Sequence, residues 1–176
     1  MKKFFQNNAN IDLKTKKIIV PIVVEIITLL LFVKLVPICK VQGYSMYPTL
    51  KPNDTIVTVK IQLTHVHRGD IVIIKLPSAK KYYVKRIIAI GGDTVEIKNG
   101  ITYINGKKMK QHETIIDRTI NFPKVIIPDN YIFVMGDNRP VSYDSRYFGP
   151  IPQKYIVLKA LYIIYPFKDK KILGGD

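Results

Sequence analysis

Hydrophobic and polar positions fall into three regimes along this chain, and each predicts a different kind of structure. Residues 1–17 are polar and basic, with Lys2, Lys3, Lys14, Lys16 and Lys17 against Asp12 alone. Ile18 to Val36 is apolar except at Pro21, Glu25, Thr28 and Lys34. As a helix rising ~1.5 Å per residue, that run would cover about 28 Å, close to a hydrocarbon core of about 30 Å. Length and flanking lysines read as a single transmembrane anchor over 18–36, with 1–17 a cytoplasmic tail and the remainder outside. Lys34 can reach the interface on its long stem. A cleavable signal peptide would have a shorter core and a small-x-small site, of which Val41-Gln42-Gly43 is a poor version. A buried core helix fits badly with the flanking lysines. Glu25 costs on the order of 2–3 kcal/mol at mid-bilayer. It reads equally as the mark of a partner helix, as a protonated acid, or as a tolerated charge.

After Pro37 the pattern changes to short β-rich runs bounded by Gly, Pro, Asn and Asp. Thr55 to Lys60, Asp70 to Lys75, Lys81 to Ile90, Tyr131 to Met135 and Tyr155 to Tyr165 each predict a strand. Between them, Val95 to Lys98, Asn99-Gly100, Ile101 to Ile104 and Asn105-Gly106 read as strand, tight turn, strand, tight turn. Asn-Gly between alternating runs is a strong hairpin signal, because both residues tolerate the left-handed backbone that such turns need. This meander opens a smaller β-insertion over about 94–130. There is no repeat, no low-complexity segment and no long amphipathic helix after the anchor. The expected fold is mostly β: a coiled, barrel-like sheet with a small β-insertion, preceded by one N-terminal transmembrane helix.

Charge narrows the choice of neighbours. The 176 residues suffice for one domain and an anchor. The formal net charge is +15, and 23 of the 28 basic residues and 12 of the 13 acidic ones follow residue 17. Such an excess favours an anionic neighbour. No nucleic-acid-binding motif accompanies it, so anionic lipid is the expected partner and nucleic acid is not. The single cysteine, Cys39, excludes a disulfide framework and any multi-cysteine zinc site. It reads as an inert thiol near the membrane surface.

Several residues could carry chemistry. His65, His67 and His112 are the three histidines, and no clustered carboxylate or cysteine joins them, so no metal site is expected. Ser78-Ala79-Lys80-Lys81 fits an S-x-x-K pattern but lacks the partner motifs that would give it meaning. Ser45 sits in Gly43-Tyr44-Ser45-Met46-Tyr47-Pro48, where glycine and proline allow a sharp turn with an open hydroxyl. Most such serines simply bond nearby backbone. Lys85 lies in a strand with Tyr83, Ile87 and Ala89 on its own face. Such a lysine is either covered by neighbouring strands or extends past them into water. If covered, desolvation lowers its pKa, and a neutral amine can take a proton from a serine.

Four blocks then give a close resemblance. They are Ser45-Met46-Tyr47-Pro48-Thr49-Leu50, Arg68-Gly69-Asp70-Ile71-Val72, Lys85-Arg86-Ile87-Ile88-Ala89 with Gly91-Gly92-Asp93, and Gly136 through Pro150. With the anchor before them, they resemble bacterial type I signal peptidases, membrane-bound serine–lysine proteases that remove signal peptides from exported proteins. The resemblance implies Ser45 as nucleophile and Lys85 as general base, with Ser142 orienting the lysine amine. Asp144 and Arg146 would form a supporting ion pair, and Ser145 would belong to the same scaffold. Asp137, Asn138 and Arg139 would hold the loop. One oxyanion donor would be the Ser45 backbone N–H. Many Gram-negative relatives carry a hydroxyl two residues before the nucleophile, where this chain has Gly43, so the second donor stays open.

By the same likeness, residues 37–176 would be an extracytoplasmic catalytic domain at the plasma membrane, acting on secretory preproteins after small-x-small sites. No cofactor is implied. The single anchor and short insertion resemble the compact Gram-positive type. Two rivals differ in recognisable ways. A self-cleaving repressor-type serine–lysine protease would carry a DNA-binding N-terminus and lack the Gly136–Pro150 block. A membrane-tethered β-domain that only binds peptides would keep Ser45 and Lys85 apart.

Overall fold

The structure is a computed structural model that describes residues 2–110, 114–166 and 171–173, without the side chains of 2–14, 32, 35 and 171. It forms two compact units, Met1–Val36 and Pro37–Asp176. The first is a continuous helix, α1 (Lys2–Leu35), with Pro21 inside it. Helix therefore begins well before the apolar run, over residues expected as a polar tail, since extending a formed helix costs far less than starting one. Thr28 Oγ1 donates back to Val24 O at 2.8 Å, so its hydroxyl is satisfied within the helix. Among the described residues no helix is long and apolar enough to cross a membrane. The expected span over 18–36 takes in Phe32 and Leu35, whose side chains lie outside the described ones.

The second unit is mostly β and antiparallel. Its larger sheet contains β1 (Ile38–Lys40), β2 (Thr55–Lys60), β3 (Ile71–Ile74), β4 (Tyr83–Ile90), β9 (Tyr131–Met135), β10 (Ile151–Pro152), β11 (Ile156–Tyr165) and β12 (Lys171–Ile172). The strand order is β1-β2-β11-β3-β4-β9-β10, with β12 also paired to β11. The two ends of this path do not pair with each other, so the sheet curls without closing. Bulges explain the curl. Register shifts interrupt β11 between Ile156 and Leu158, Ala160 and Tyr162, and Ile163 and Tyr165, and β4 between Ile87 and Ala89. Each adds twist and bends its strand. The β4 bulge also corrects one expectation. Ala89 does not share the surroundings of Lys85, because the extra residue switches the parity and Ala89 packs with Ile88 instead.

Burial follows the sheet's two faces. Ile71 and Ile73 of β3 join one core cluster with Met46, Leu50 and Ile56. Val72 and Ile74 join a second with Ile87, Ile132 and Val134. A strand covered on both faces reads as an unbroken apolar run, which is what residues 71–74 are. A third cluster joins Ile88, Phe133 and Met135 to Val95, Ile97 and Ile104 of the smaller sheet. That sheet comprises β5 (Thr94–Lys98), β6 (Ile101–Ile104), β7 (Lys107–Lys108) and β8 (Phe122–Ile126), in the order β7-β6-β5-β8. Its turns are made by Asn99-Gly100 and Asn105-Gly106, all four residues at positive φ, as type I′ turns require. Asp93 ties the two sheets together. Its carboxylate accepts from Arg68 Nε at 2.8 Å, Ile90 N at 3.0 Å and Asn105 Nδ2 at 3.0 Å.

Candidate active site

Ser45 is carried on a turn whose apolar neighbours are driven inward. Met46 and Leu50 are buried in the first core cluster, while Ser45 stays half-exposed between them and the exposed Tyr44. Hydrogen bonds from Tyr47 N to Tyr44 O and from Leu50 N to Met46 O close the turn. Gly43 enters it at φ +77°, a conformation that costs glycine little. From the opposite side, Asn138 N donates to Ser45 O at 3.0 Å.

Lys85 projects from the middle of β4, opposite Val72 of β3. Its neighbours cover it so fully that it is 2% exposed. Nζ donates to Ser142 Oγ at 2.8 Å and lies 6.0 Å from the Tyr83 ring centroid. Burial brings its pKa down from the usual 10.5 to about 8, with Asp144 and Asp137 working against the fall and Arg146 with it. Of the two readings the sequence left open, the covered one holds.

The loop after β9 supplies the rest. Asp144 Oδ1 accepts from Arg146 Nε at 2.7 Å, and Oδ2 from Gly136 N at 3.0 Å and Arg146 Nη2 at 2.9 Å. The same Nη2 donates to Ser142 O at 3.0 Å and Arg139 O at 2.8 Å. Asp144 also caps α2 (Ser145–Phe148). Ser145 Oγ accepts from Val134 N at 3.0 Å and stitches this short helix to β9. Asp144, Ser145 and Arg146 thus form one buried brace that fixes the backbone on either side of Ser142. Asp137 makes a paired contact with Arg86, at 2.9 Å to Nε and 2.7 Å to Nη2. Arg139 is buried beside Thr102 Oγ1 at 3.2 Å, and burial pushes its pKa down to about 10, so it stays cationic at neutral pH.

Gly136 was singled out by sequence as part of a block, but its task was not. A Cβ there would collide with Ser142 Oγ and with Ser45 O. Both the Ser45 turn and the Ser142 side chain press on this position, and glycine alone leaves room. The signal was a glycine directly after a buried strand, which marks close approach of another backbone.

Ser45, Lys85, Tyr44, Tyr83, Asn138, Val141 and Tyr143 share one cavity of about 590 Å³. A second cavity of about 910 Å³ also reaches Ser45 and runs past Cys39, Ile73, Val84 and Leu158. Cys39 lines it as a free thiol. His65 and His67 lie on an exposed loop, and His112 lies outside the described residues. Among the described residues no group of three or more His, Cys, Asp or Glu could hold a metal. Ser78 is on an exposed turn, away from any such arrangement.

Comparison with known proteins gives the family. Residues 13–165 match the family model described as signal peptidase, peptidase S26. A signal peptidase I of Bacillus amyloliquefaciens is 40% identical over 144 residues, covering 74% of this chain and 75% of the relative. Signal peptidase I S of Bacillus subtilis is 40% identical over 146 residues, covering 74% and 78%. A crystal structure of a signal peptidase I from Enterococcus faecalis aligns with a TM-score of 0.44 at 29% identity, over 53% of this chain and 94% of that one. The protein is a serine endopeptidase. It belongs to the signal peptidase family, peptidase S26, and its Bacillus relatives place it with the compact Gram-positive type.

Proposed function

We propose that this protein removes N-terminal signal peptides from exported preproteins, with Ser45 as nucleophile and Lys85 as general base. The observation that carries the reading is a buried lysine on the same cavity wall as Ser45, with Nζ hydrogen-bonded to Ser142 Oγ at 2.8 Å. A neutral amine that donates one N–H to Ser142 keeps its lone pair for the Ser45 hydroxyl. As Ser45 Oγ attacks the scissile carbonyl, the proton passes to Nζ and then to the leaving amine. Water attacks the resulting ester with Lys85 again as base. The Ser45 backbone N–H is one donor to the oxyanion, and Gly43 has no side chain to offer a second. Ser142 orients the amine, and the Asp144–Arg146 pair with Ser145 holds Ser142. No step needs a metal or organic cofactor.

The substrate would arrive as an extended chain beside β1, the terminal strand of the larger sheet. Alternate side chains would then face the apolar wall of Ile73, Val84 and Leu158. That geometry suits small residues at the first and third positions before the cut. The anchor is part of the same reading. From Ile18 to Leu31 every residue of α1 is exposed and Glu25 is the single charge, and a helix apolar all round needs apolar surroundings. Basic residues before it favour a cytoplasmic N-terminus and an extracytoplasmic catalytic unit at the plasma membrane. The basic excess beyond residue 17 favours anionic lipid.

The test uses the full chain in detergent–lipid micelles with a signal-peptide substrate. Ser45→Ala and Lys85→Arg are expected to lose cleavage by on the order of 10³-fold or more. Arginine keeps its proton, so an active Lys85→Arg would remove the base assignment. For the wild type, kcat/KM should rise with pH through about 8, because the amine is protonated and inert below that value and neutral above it.

A further inference from the structure

Two cavities meet at Ser45, and they differ in one wall. Lys85 lines the smaller, with Tyr44, Val141 and Tyr143. The larger includes Ser45 but not Lys85 in its lining. In acyl transfer, the base that takes the serine proton hands it to the leaving amine. That amine belongs to the first residue after the cut, so this residue has to lie on the Lys85 side of Ser45. We propose that the smaller cavity binds the first residues of the released chain, and that Tyr143, with Val141 and Tyr44, makes it prefer apolar and aromatic side chains there. This rests on the Ser45 and Lys85 roles proposed above and extends them to substrate selection.

The local structure supports a built wall. Along 141–144 the chain alternates: Ser142 and Asp144 point inward and are buried, while Val141 and Tyr143 are 62% and 55% exposed. Tyr44, from the other side of the cleft, is 64% exposed. Such large apolar groups at an open cleft are surface that a bound chain would cover. Tyr143 is not loose. Its ring stacks on Tyr147 at 5.4 Å and meets Phe148 edge-on at 5.5 Å, and Phe148 packs against the second core cluster. A ring fixed in advance loses little freedom when a substrate side chain lies on it. Among the described residues this cavity has no acidic side chain in its lining and no cation besides Lys85. It therefore offers contact area to a ring or branched aliphatic, and no paired site for a carboxylate.

The experiment uses the full chain in detergent–lipid micelles and internally quenched peptides with one fixed signal-peptide side. The first residue after the cut is Phe, Leu, Gly or Asp. Wild type should cut the Phe and Leu peptides with kcat/KM about tenfold above Gly and more above Asp. Tyr143→Ser should lower kcat/KM for the Phe peptide about tenfold more than for the Gly peptide, and Val141→Ser should do the same to a smaller extent. Both positions are exposed, so neither change opens the core. A wild type indifferent to this residue, or variants that lose the same factor on all four peptides, would overturn the proposal. With Ser45→Ala inactive in the same assay, that failure touches the proposal alone. Cleavage by Ser45→Ala would instead remove the roles on which it stands.

Discussion

Lys85 and Arg86 are consecutive residues of one strand, both cationic by type and both buried, yet their surroundings are opposite. Arg86 is met by both oxygens of Asp137, by Gly69 O at 2.7 Å and, at 3.4 Å, by Thr49 Oγ1. Lys85 is met by the neutral hydroxyl of Ser142 and by Tyr83. The nearby carboxylate of Asp144 is engaged by Arg146, whose charge offsets it. At Lys85 desolvation is left largely uncompensated, and it brings neutrality within reach of physiological pH. The difference teaches that burial alone does not make a base. The base role proposed for Lys85 rests on burial with the carboxylates assigned elsewhere.

The largest effect is expected from breaking the paired side. Asp137→Asn leaves the Arg86 guanidinium buried without its counter-charge, and denaturant unfolding should show a loss of about 3–5 kcal/mol. Next comes the unpaired side, where the sign reverses. A folded-state pKa of about 8 against 10.5 when exposed means that folding penalises the protonated lysine. At ~1.4 kcal/mol per unit, that penalty is about 3 kcal/mol at pH 7. It is full below about pH 8, shrinks as pH rises, and is gone above 10.5. Lys85→Met should therefore be the more stable protein at pH 7, by up to that amount, and its advantage should fade between pH 8 and 10.5. The smallest effect belongs to the hydroxyl that distinguishes the two sites. Ser142→Ala removes one hydrogen bond to the amine, worth ~1.4 kcal/mol, and should lower kcat about tenfold while Arg86 and Asp137 stay paired.

Much of this comparison was legible in the residue order, for reasons that are local. Alternation and turn residues set β2 at 55–60 and β9 at 131–135 as expected, and the two Asn-Gly pairs located the meander of the smaller sheet. Ser45, Lys85 and Ser142 came instead from the resemblance of four blocks to a known family. What stayed hidden depends on pairing across the chain. β8 contains Pro123, which argues against a strand unless it lies at an edge, and β8 is an edge strand. β1 is three residues long and exists because Cys39 meets Ile56 across the sheet. The bulge that turns Ala89 away from Lys85 follows from a register with β9 that no window of sequence contains.

The smaller sheet looks removable on a strand diagram, and its stitching says otherwise. Ile115, downstream of its first three strands, accepts from Arg139 N and donates to Asp137 O, while its neighbour Thr114 bridges to Pro48. Thr102, inside β6, receives Nη1 of the buried Arg139. A trimmed protease that kept only the larger sheet would discard the strap around residues 137–139 and strand a guanidinium whose Nε already has no partner among the described residues. Any minimal version of this enzyme has to carry the insertion with it, which makes it a part of the catalytic unit's architecture and not cargo on its edge.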